Sequence, residues 1–443
     1  MSFRRALGPF DATMVVVGGI VGAGIFINPY LVAGRLSSGG LVLAAWIAGG
    51  VIALAGAFAF AELAALFPRA GGQYVYLREA YHPIVAFLFG WASLLMIQGG
   101  GLAAVAITFA QYTLRLTGAR EAAVVPLAII AIALVAAVNV LGVKPGSRLL
   151  NVLVLLKIGA LTVLILGGLF LAHPATGPPP STGVPAGGAG PLAFGAALIP
   201  ILFSYGGWQG ASVVAEEMRD PRRTLPLALL WGTALVIAIY VLANVVYLLA
   251  LGRDGLAATP TPAAETVRRI FGPGADRLIA ATIAVSAFGF LDLTLLAYTR
   301  IYWAMAKDGL FFERLARLHP RFQTPALAIV LQGAWGIVLV ATGSYGELVD
   351  SVVFADWIFF GLAGAAIFLF RRRIPLEARE PDSFRTPGYP IAPALFVAAA
   401  LYVVASALLS NPGRALVGSA ILALGAPMFL FFSRRRQRAG NPA

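Results

Sequence analysis

The sequence predicts an all-α, polytopic membrane protein with twelve transmembrane helices, and three observations carry the prediction. Of the 443 residues, 60% are hydrophobic and 12% are charged, whereas a soluble domain carries about 25% charged residues. Mean hydropathy is +0.87, so the solvent for much of this surface has to be lipid. Twelve mainly apolar stretches approach the roughly 20 residues a helix needs to cross a bilayer, and the basic residues fall in short runs between them, as at Arg371–Arg373 and Arg434–Arg436.

The first span, 11–34, follows Arg4 and Arg5 with no small-residue cleavage site, which identifies an anchor rather than a cleavable signal. Spans two to five are placed at 41–66, 84–113, 122–141 and 149–172. Residues 173–191 (HPATGPPPSTGVPAGGAGP) are uncharged and rich in Pro and Gly, the composition of an exposed outer loop. Spans six to ten follow at 192–217, 225–251, 276–305, 325–342 and 346–370. A basic loop, 371–388, leads to spans eleven and twelve, 389–409 and 414–433, and to a basic tail. The chain therefore divides into 1–172 with five spans, the loop 173–191, 192–370 with five more, 371–388, and 389–443 with two additions.

Charge sets the orientation. With the N-terminus inside, and with residues towards a span's end counted with the adjoining side, the cytoplasmic side holds 23 of the 32 Lys and Arg and the outer side 8, and Lys157 alone falls near the middle of a span. The positive-inside rule then puts both termini in the cytoplasm. The outward group Arg253, Arg268, Arg269 and Arg277 is accompanied by Asp254, Glu265 and Asp276. A net charge of +13 spread in this way marks topology rather than nucleic-acid binding.

Zero cysteines exclude a disulfide framework and thiolate chemistry. His82, His173 and His319 are too far apart in the sequence for a His-rich metal site. With no nucleophile–base pair, His-x-x-x-His pattern or Gly-x-Ser-x-Gly elbow, neither an enzyme nor a cofactor is expected.

Two spans are interrupted at matching places. Span one contains Gly18-Gly19-Ile20-Val21-Gly22-Ala23-Gly24-Ile25-Phe26, and span six contains Phe203-Ser204-Tyr205-Gly206-Gly207-Trp208. Each opens a group of five. Glycine inside a helix costs about 1 kcal/mol against alanine, and unwound backbone survives in a bilayer only where other groups satisfy it. Broken helices at corresponding positions point to a transporter's binding site. The half-helix after a break offers free N–H groups and a positive dipole end to a carboxylate, and the one before it offers carbonyls to an ammonium. Two such breaks suit a zwitterion such as a free α-amino acid. Close helix packing is the alternative use of these glycines.

Charges inside the spans complete the reading. Lys157 lies mid-way along span five, where a lysine costs about 2.5–3.5 kcal/mol on insertion scales. The chain has 29 Arg and only three Lys, so a compact ammonium here is expected to stand in for a cation or to titrate. Asp292, mid-way along span eight, is a second outlier that could take up a proton, pair with Lys157 or another helix, or help bind a cationic group. Asp350 and Asp356 in span ten are either partners of interior groups or interfacial. Glu62, Glu216 and Glu217, near Arg69, Arg219, Arg222 and Arg223, read as interfacial charge, with inner-gate salt bridges as the alternative. Phe203 and Trp208 beside the second break are gate candidates.

Gly22-Ala23-Gly24-Ile25-Phe26 resembles the first-helix motif of the amino acid–polyamine–organocation superfamily. Phe203–Trp208, with Glu216-Glu217 and Arg219-Asp220-Pro221-Arg222-Arg223-Thr224-Leu225-Pro226, is similar to the L-type amino acid transporter branch and its bacterial relatives. Gly71–Leu77, Ala306–Gly309 and Pro387–Pro390 add to the resemblance. It implies a leucine-transporter-type 5+5 inverted repeat with helices 1 and 6 broken, two extra helices, and alternating access. It also implies site roles. Gly22 and the amides of Ala23 and Gly24 would receive the substrate carboxylate, and the carbonyls of Ile20, Phe203, Ser204 and Gly206 its amino group. Lys157 falls where relatives carry a sodium-replacing lysine, with Ser286 as its partner on the eighth helix, and Asp292 replaces an expected asparagine.

The function so implied is a permease for neutral L-amino acids in a prokaryotic inner membrane, working by sodium-independent exchange or facilitated transport. The alternative is a proton-coupled permease for cationic amino acids or polyamines, motivated by Asp292. Expected partners are the amino acid and the bilayer; no disulfide-linked accessory subunit is expected, and the protein is expected to be a monomer, with an oligomer as the alternative.

Overall fold

The computed structural model describes residues 8–67, 72–142, 147–171, 187–213, 218–375 and 383–438. Residues 172–186 of the Pro/Gly-rich loop, Arg69, Gly71, Glu216 and Glu217 lie outside them.

The predicted first span is two helices, α1 (Pro9–Ile20) and α2 (Gly24–Arg35), separated by Val21–Ala23. α3 (Gly39–Leu66) is the second span, begun by Ser38, whose side chain accepts a hydrogen bond from the Leu41 amide. α4 (Gln73–Ala80) is a short helix within the following connection. α5 (Pro83–Ala92), a π-turn over Ser93–Ile97 and α6 (Gln98–Thr117) form one continuous third span. α7 (Val124–Val140) and α8 (Ser147–Leu171) follow.

α9 (Pro191–Tyr205) stops at the second break and resumes as α10 (Gly210–Val213). α11 (Pro221–Ala257) bends at Gly252, whose φ of +68° is open to glycine at no steric cost. Between spans seven and eight, where the sequence suggested only a loop, stands α12 (Pro262–Phe271). Its buried face is Pro262, Ala263, Ala264, Thr266 and Val267, and its arginines face outward. A ten-residue helix this short escapes a reading tuned to spans. α13 (Ala275–Lys307), α14 (Ala326–Thr342), α15 (Tyr345–Arg373), α16 (Ile391–Ser410) and α17 (Pro412–Arg438) complete the chain.

Among the described residues ten helical stretches are long and apolar enough to cross a membrane, and two shorter apolar helices, α9 and α14, coincide with predicted spans six and nine. Proline opens α1, α5, α9, α11 and α12, where the first turn needs no N–H from it. Large apolar side chains such as Phe170, Leu278 and Ile391 are exposed, which is stable only against lipid.

The interior is built around the two broken helices. α1 lies along α11 and touches α8, α2 runs against α9, and α3 supports α9 and α11. Gly18 permits the α1–α8 contact, since a Cβ there would come within 2.6 Å of Val154 Cγ2.

The basic residues between α11 and α13 are held by the acids that accompany them in sequence. Arg253 pairs with Asp254, Arg268 and Arg269 with Glu265, and Arg115 of α6 with both Glu265 and Asp276. Burial raises the Glu265 carboxyl, but hydrogen bonds and charge, first from Arg268, hold it below its ordinary value.

Candidate functional site

The two breaks pack directly on each other. A Cβ on Gly19 would lie 2.7 Å from the Gly207 carbonyl oxygen, and one on Gly24 would lie 2.6 Å from Ser204 Cα. Gly207 also adopts φ +104°. Backbone therefore meets backbone at two points, and side chains there would force the helices apart.

Two prolines account for part of the hydrogen-bonding pattern. Pro29 lies inside α2 and brings no N–H to the carbonyl of Ile25, which accepts instead from the Tyr247 hydroxyl at 3.4 Å. Pro200 likewise leaves the carbonyl of Ala196, which accepts from Arg35 Nη1 at 2.5 Å. Asn28 fastens α2 to α9 by donating to Pro200 O at 2.7 Å and Ser204 Oγ at 2.8 Å, while its Oδ1 accepts from Tyr345 at 2.9 Å.

The carbonyls at the first break are satisfied by long reaches. Ile20 O accepts from Tyr240 at 2.9 Å and from the Gly22 amide at 2.7 Å; Phe26 O accepts from Tyr112 at 2.7 Å. Val21 O accepts from Lys157 Nζ at 3.1 Å. α2 starts at Gly24 with no side chain capping it, so its first amides are offered to whatever occupies the adjoining space.

That space is a cavity of about 700 Å³ of atom-free volume, part of it continuous with the exterior. Ile20, Gly22, Ala23, Gly24, Phe203, Ser204 and Gly206, the substrate-site residues expected from the sequence, all line it. Its other walls are Gln98 and Gly101 on α6, Phe290, Thr294 and Tyr298 on α13, and Val352, Val353, Asp356 and Trp357 on α15.

The remaining candidates lie off this cavity. Trp208 is buried, stacked on Phe360 with centroids 5.4 Å apart and edge-on to Phe60 at 4.7 Å. Lys157 and Ser286 are both buried, and no hydrogen bond joins them. Asp292 accepts from Asn139 Nδ2 of α7 at 2.6 Å, so it pairs with another helix rather than with Lys157. The periodicity explains this. Phe290, Thr294 and Tyr298 repeat every four residues along the cavity face of α13, and position 292 is rotated about 200° from 290.

Two charge clusters tie the helices outside the cavity. Glu62, read from the sequence as interfacial, is fully buried; Arg371 donates to both of its oxygens at 2.9 and 2.7 Å, and the Thr386 amide donates at 2.8 Å. Sequence proximity misled here, because the partner lies 309 residues away. Asp350 accepts from Arg35 at 3.1 Å, Asn411 at 2.9 Å and Arg414 at 3.2 Å. The sequence reading missed Asn28, Tyr112, Tyr240 and Tyr247; tyrosines seven apart in one apolar span are a usable signal, since two turns bring them to one face. No group of three metal-binding side chains occurs among the described residues.

Comparison with known proteins gives this geometry a family. Residues 7–432 match the family model described as amino acid permease. The chain belongs to the amino acid permease family. It is 29% identical to the serine/threonine exchanger SteT of Bacillus subtilis, over 98% of each chain. It is 31% identical to the human b(0,+)-type amino acid transporter 1, over 97% of this chain and 88% of that one. Identity to the human cystine/glutamate transporter is 28%, over 98% of this chain and 86% of that one. The permease is thus a multi-pass integral membrane transport protein for amino acids and not an enzyme. Lacking cysteine, it forms no disulfide with any partner.

Proposed function

We propose that this permease carries neutral L-amino acids across a prokaryotic inner membrane by alternating access, through sodium-independent exchange or facilitated transport. The observation that carries the reading is the direct packing of the two helix breaks on each other at the wall of one cavity. The amides of Ala23 and Gly24 at the start of α2 receive the substrate carboxylate. The carbonyls of Phe203, Ser204 and Gly206 receive its ammonium, with Ile20 O, already bonded to Tyr240, as a further acceptor.

In this reading the chain has twelve spans in a 5+5 inverted repeat plus two, comprising 1–172, 192–370 and 389–443, with both termini cytoplasmic. A four-helix bundle that includes spans one and six rocks against the remaining scaffold, with the half-helices 11–21 and 208–217 as moving gates. Phe203 closes over the substrate, and Trp208 in its aromatic nest seals the cytoplasmic side. Lys157 takes the place of a sodium ion by placing its ammonium on the Val21 carbonyl, with Ser286 of α13 as its partner on the eighth span. Proton coupling through Asp292, with a cationic or polyamine substrate, is the second reading. The Asn139–Asp292 pair off the cavity gives that residue a helix-joining role, so it does not favour this reading.

The test is uptake of a radiolabelled neutral amino-acid mixture by proteoliposomes, with and without internal unlabelled substrate, sodium and a proton gradient. Uptake that requires internal substrate and neither ion supports exchange. Uptake into empty vesicles that requires a proton gradient overturns it.

A further inference from the structure

Glu62, Asp292, Asp350 and Asp356 lie well inside the described spanning helices, away from the helix ends that carry Asp11, Asp254, Asp276 and Glu347, and three of these four are matched by the protein itself. Glu62 has Arg371 and Thr386, Asp350 has Arg35, Asn411 and Arg414, and Asp292 has Asn139. Asp356 is different. It is partly buried on the cavity face of α15, and among the described residues its carboxylate accepts no hydrogen bond and enters no ion pair. Every other described side chain lining that cavity is uncharged.

An ionised carboxylate on a largely apolar cavity wall, with no partner from the protein, is less favourable than one that is paired. The neighbouring walls do not supply a counter-charge: α6 offers Gln98, and α13 offers Tyr298 and Thr294, whose hydroxyl is already donated to Phe290 O at 2.9 Å. The amino and carboxylate groups of an amino acid held at the breaks cancel each other. A positive charge that complements Asp356 must therefore come from the far end of the cargo's side chain. The α6 wall of the same cavity leaves open space, since a Cβ added to Gly101 would meet nothing within 4 Å.

We infer that Asp356 is a side-chain recognition point, which pairs with an ammonium or guanidinium group at the end of the cargo's side chain, so that the carrier takes basic as well as neutral L-amino acids. This rests on the amino-acid carrier reading above and extends its substrate class. The relevant carboxylate is the one on α15, not Asp292, which faces α7.

The experiment measures competition against proteoliposome uptake of whichever neutral amino acid is carried best. The competitors are matched in shape: lysine against norleucine, which replaces the ammonium by a methyl group, and arginine against citrulline. In the wild type, lysine and arginine are expected to half-inhibit at concentrations at least ~10-fold lower than their neutral counterparts, a factor equal to about 1.4 kcal/mol. Asp356→Asn should bring both ratios to about one, and Asp356→Glu should restore part of the preference. A wild-type ratio of one or less overturns the inference, as does a preference that survives Asp356→Asn. If neither variant yields folded protein, thermal stabilisation of the purified wild type by each matched pair gives the ratio and decides the matter. If no amino acid is taken up or competes, the carrier reading fails, an outcome distinct from a ratio of one.

Discussion

The ammonium of Lys157 sits 3.1 Å from the carbonyl of Val21, the first residue after α1 ends. This single bond joins α8 to the point where the first helix unwinds, and it satisfies a carbonyl that has left helical geometry. Lys157→Met removes the donor but also a buried charge. The lost hydrogen bond costs about 1–3 kcal/mol, offset by the relieved desolvation. Stability is therefore expected to change little while transport per folded protein falls at least ~10-fold, as measured by thermal denaturation beside proteoliposome uptake.

Gly24 and Gly34 lie on the same half-helix and make opposite predictions. A Cβ at Gly24 collides with Ser204 backbone, whereas one at Gly34 meets nothing within 4 Å. Gly24→Ala should destabilise by about 1–3 kcal/mol through overpacking and abolish uptake. Gly34→Ala should be neutral or stabilising by up to about 1 kcal/mol. Denaturation midpoints of the two variants check the pair.

Arg35 and Asp350 connect α2 to α15, and both side chains are mostly shielded, at 23% and 6% exposure. A double-mutant cycle with Arg35→Gln and Asp350→Asn should give a coupling of about 1–3 kcal/mol. Additivity within error would show that the pair contributes nothing to joining these helices.

Trp208 fills a site bounded by Phe60 and Phe360. Trp208→Ala should cost about 3–5 kcal/mol by leaving a cavity, and Trp208→Phe should recover most of it. Thermal unfolding in detergent provides the comparison.

Glu265 gives a pH-dependent prediction. Its folded carboxyl is held below the ordinary 4.5, largely by Arg268 against the opposing effect of burial. The stabilisation is therefore fully present above the unfolded value and is lost as pH falls through the folded one. Glu265→Gln should lower stability at neutral pH by about 1 kcal/mol. The gap to the wild type should close below pH 4.5, as read from melting temperature against pH.

The sequence by itself determined the solvent, the helical class, nearly all the span positions and the two places where a helix must break. Those are properties of composition and of glycine, and they need no knowledge of neighbours. The cavity-lining residues Gly22–Gly24, Phe203, Ser204 and Gly206 lie at those breaks, and the individual assignments came from the family resemblance together with them. The tertiary structure decided which way each buried charge faces. Asp350 and Asp356 share one helix and are six residues apart, a rotation of about 240°. One meets Arg35 and Arg414, and the other meets the cavity. Hydropathy reports how deep a charge sits but not its azimuth. The pairing of Glu62 with Arg371 and of Asp292 with Asn139 depends on how separate helices are rotated against each other, which no local window of sequence contains.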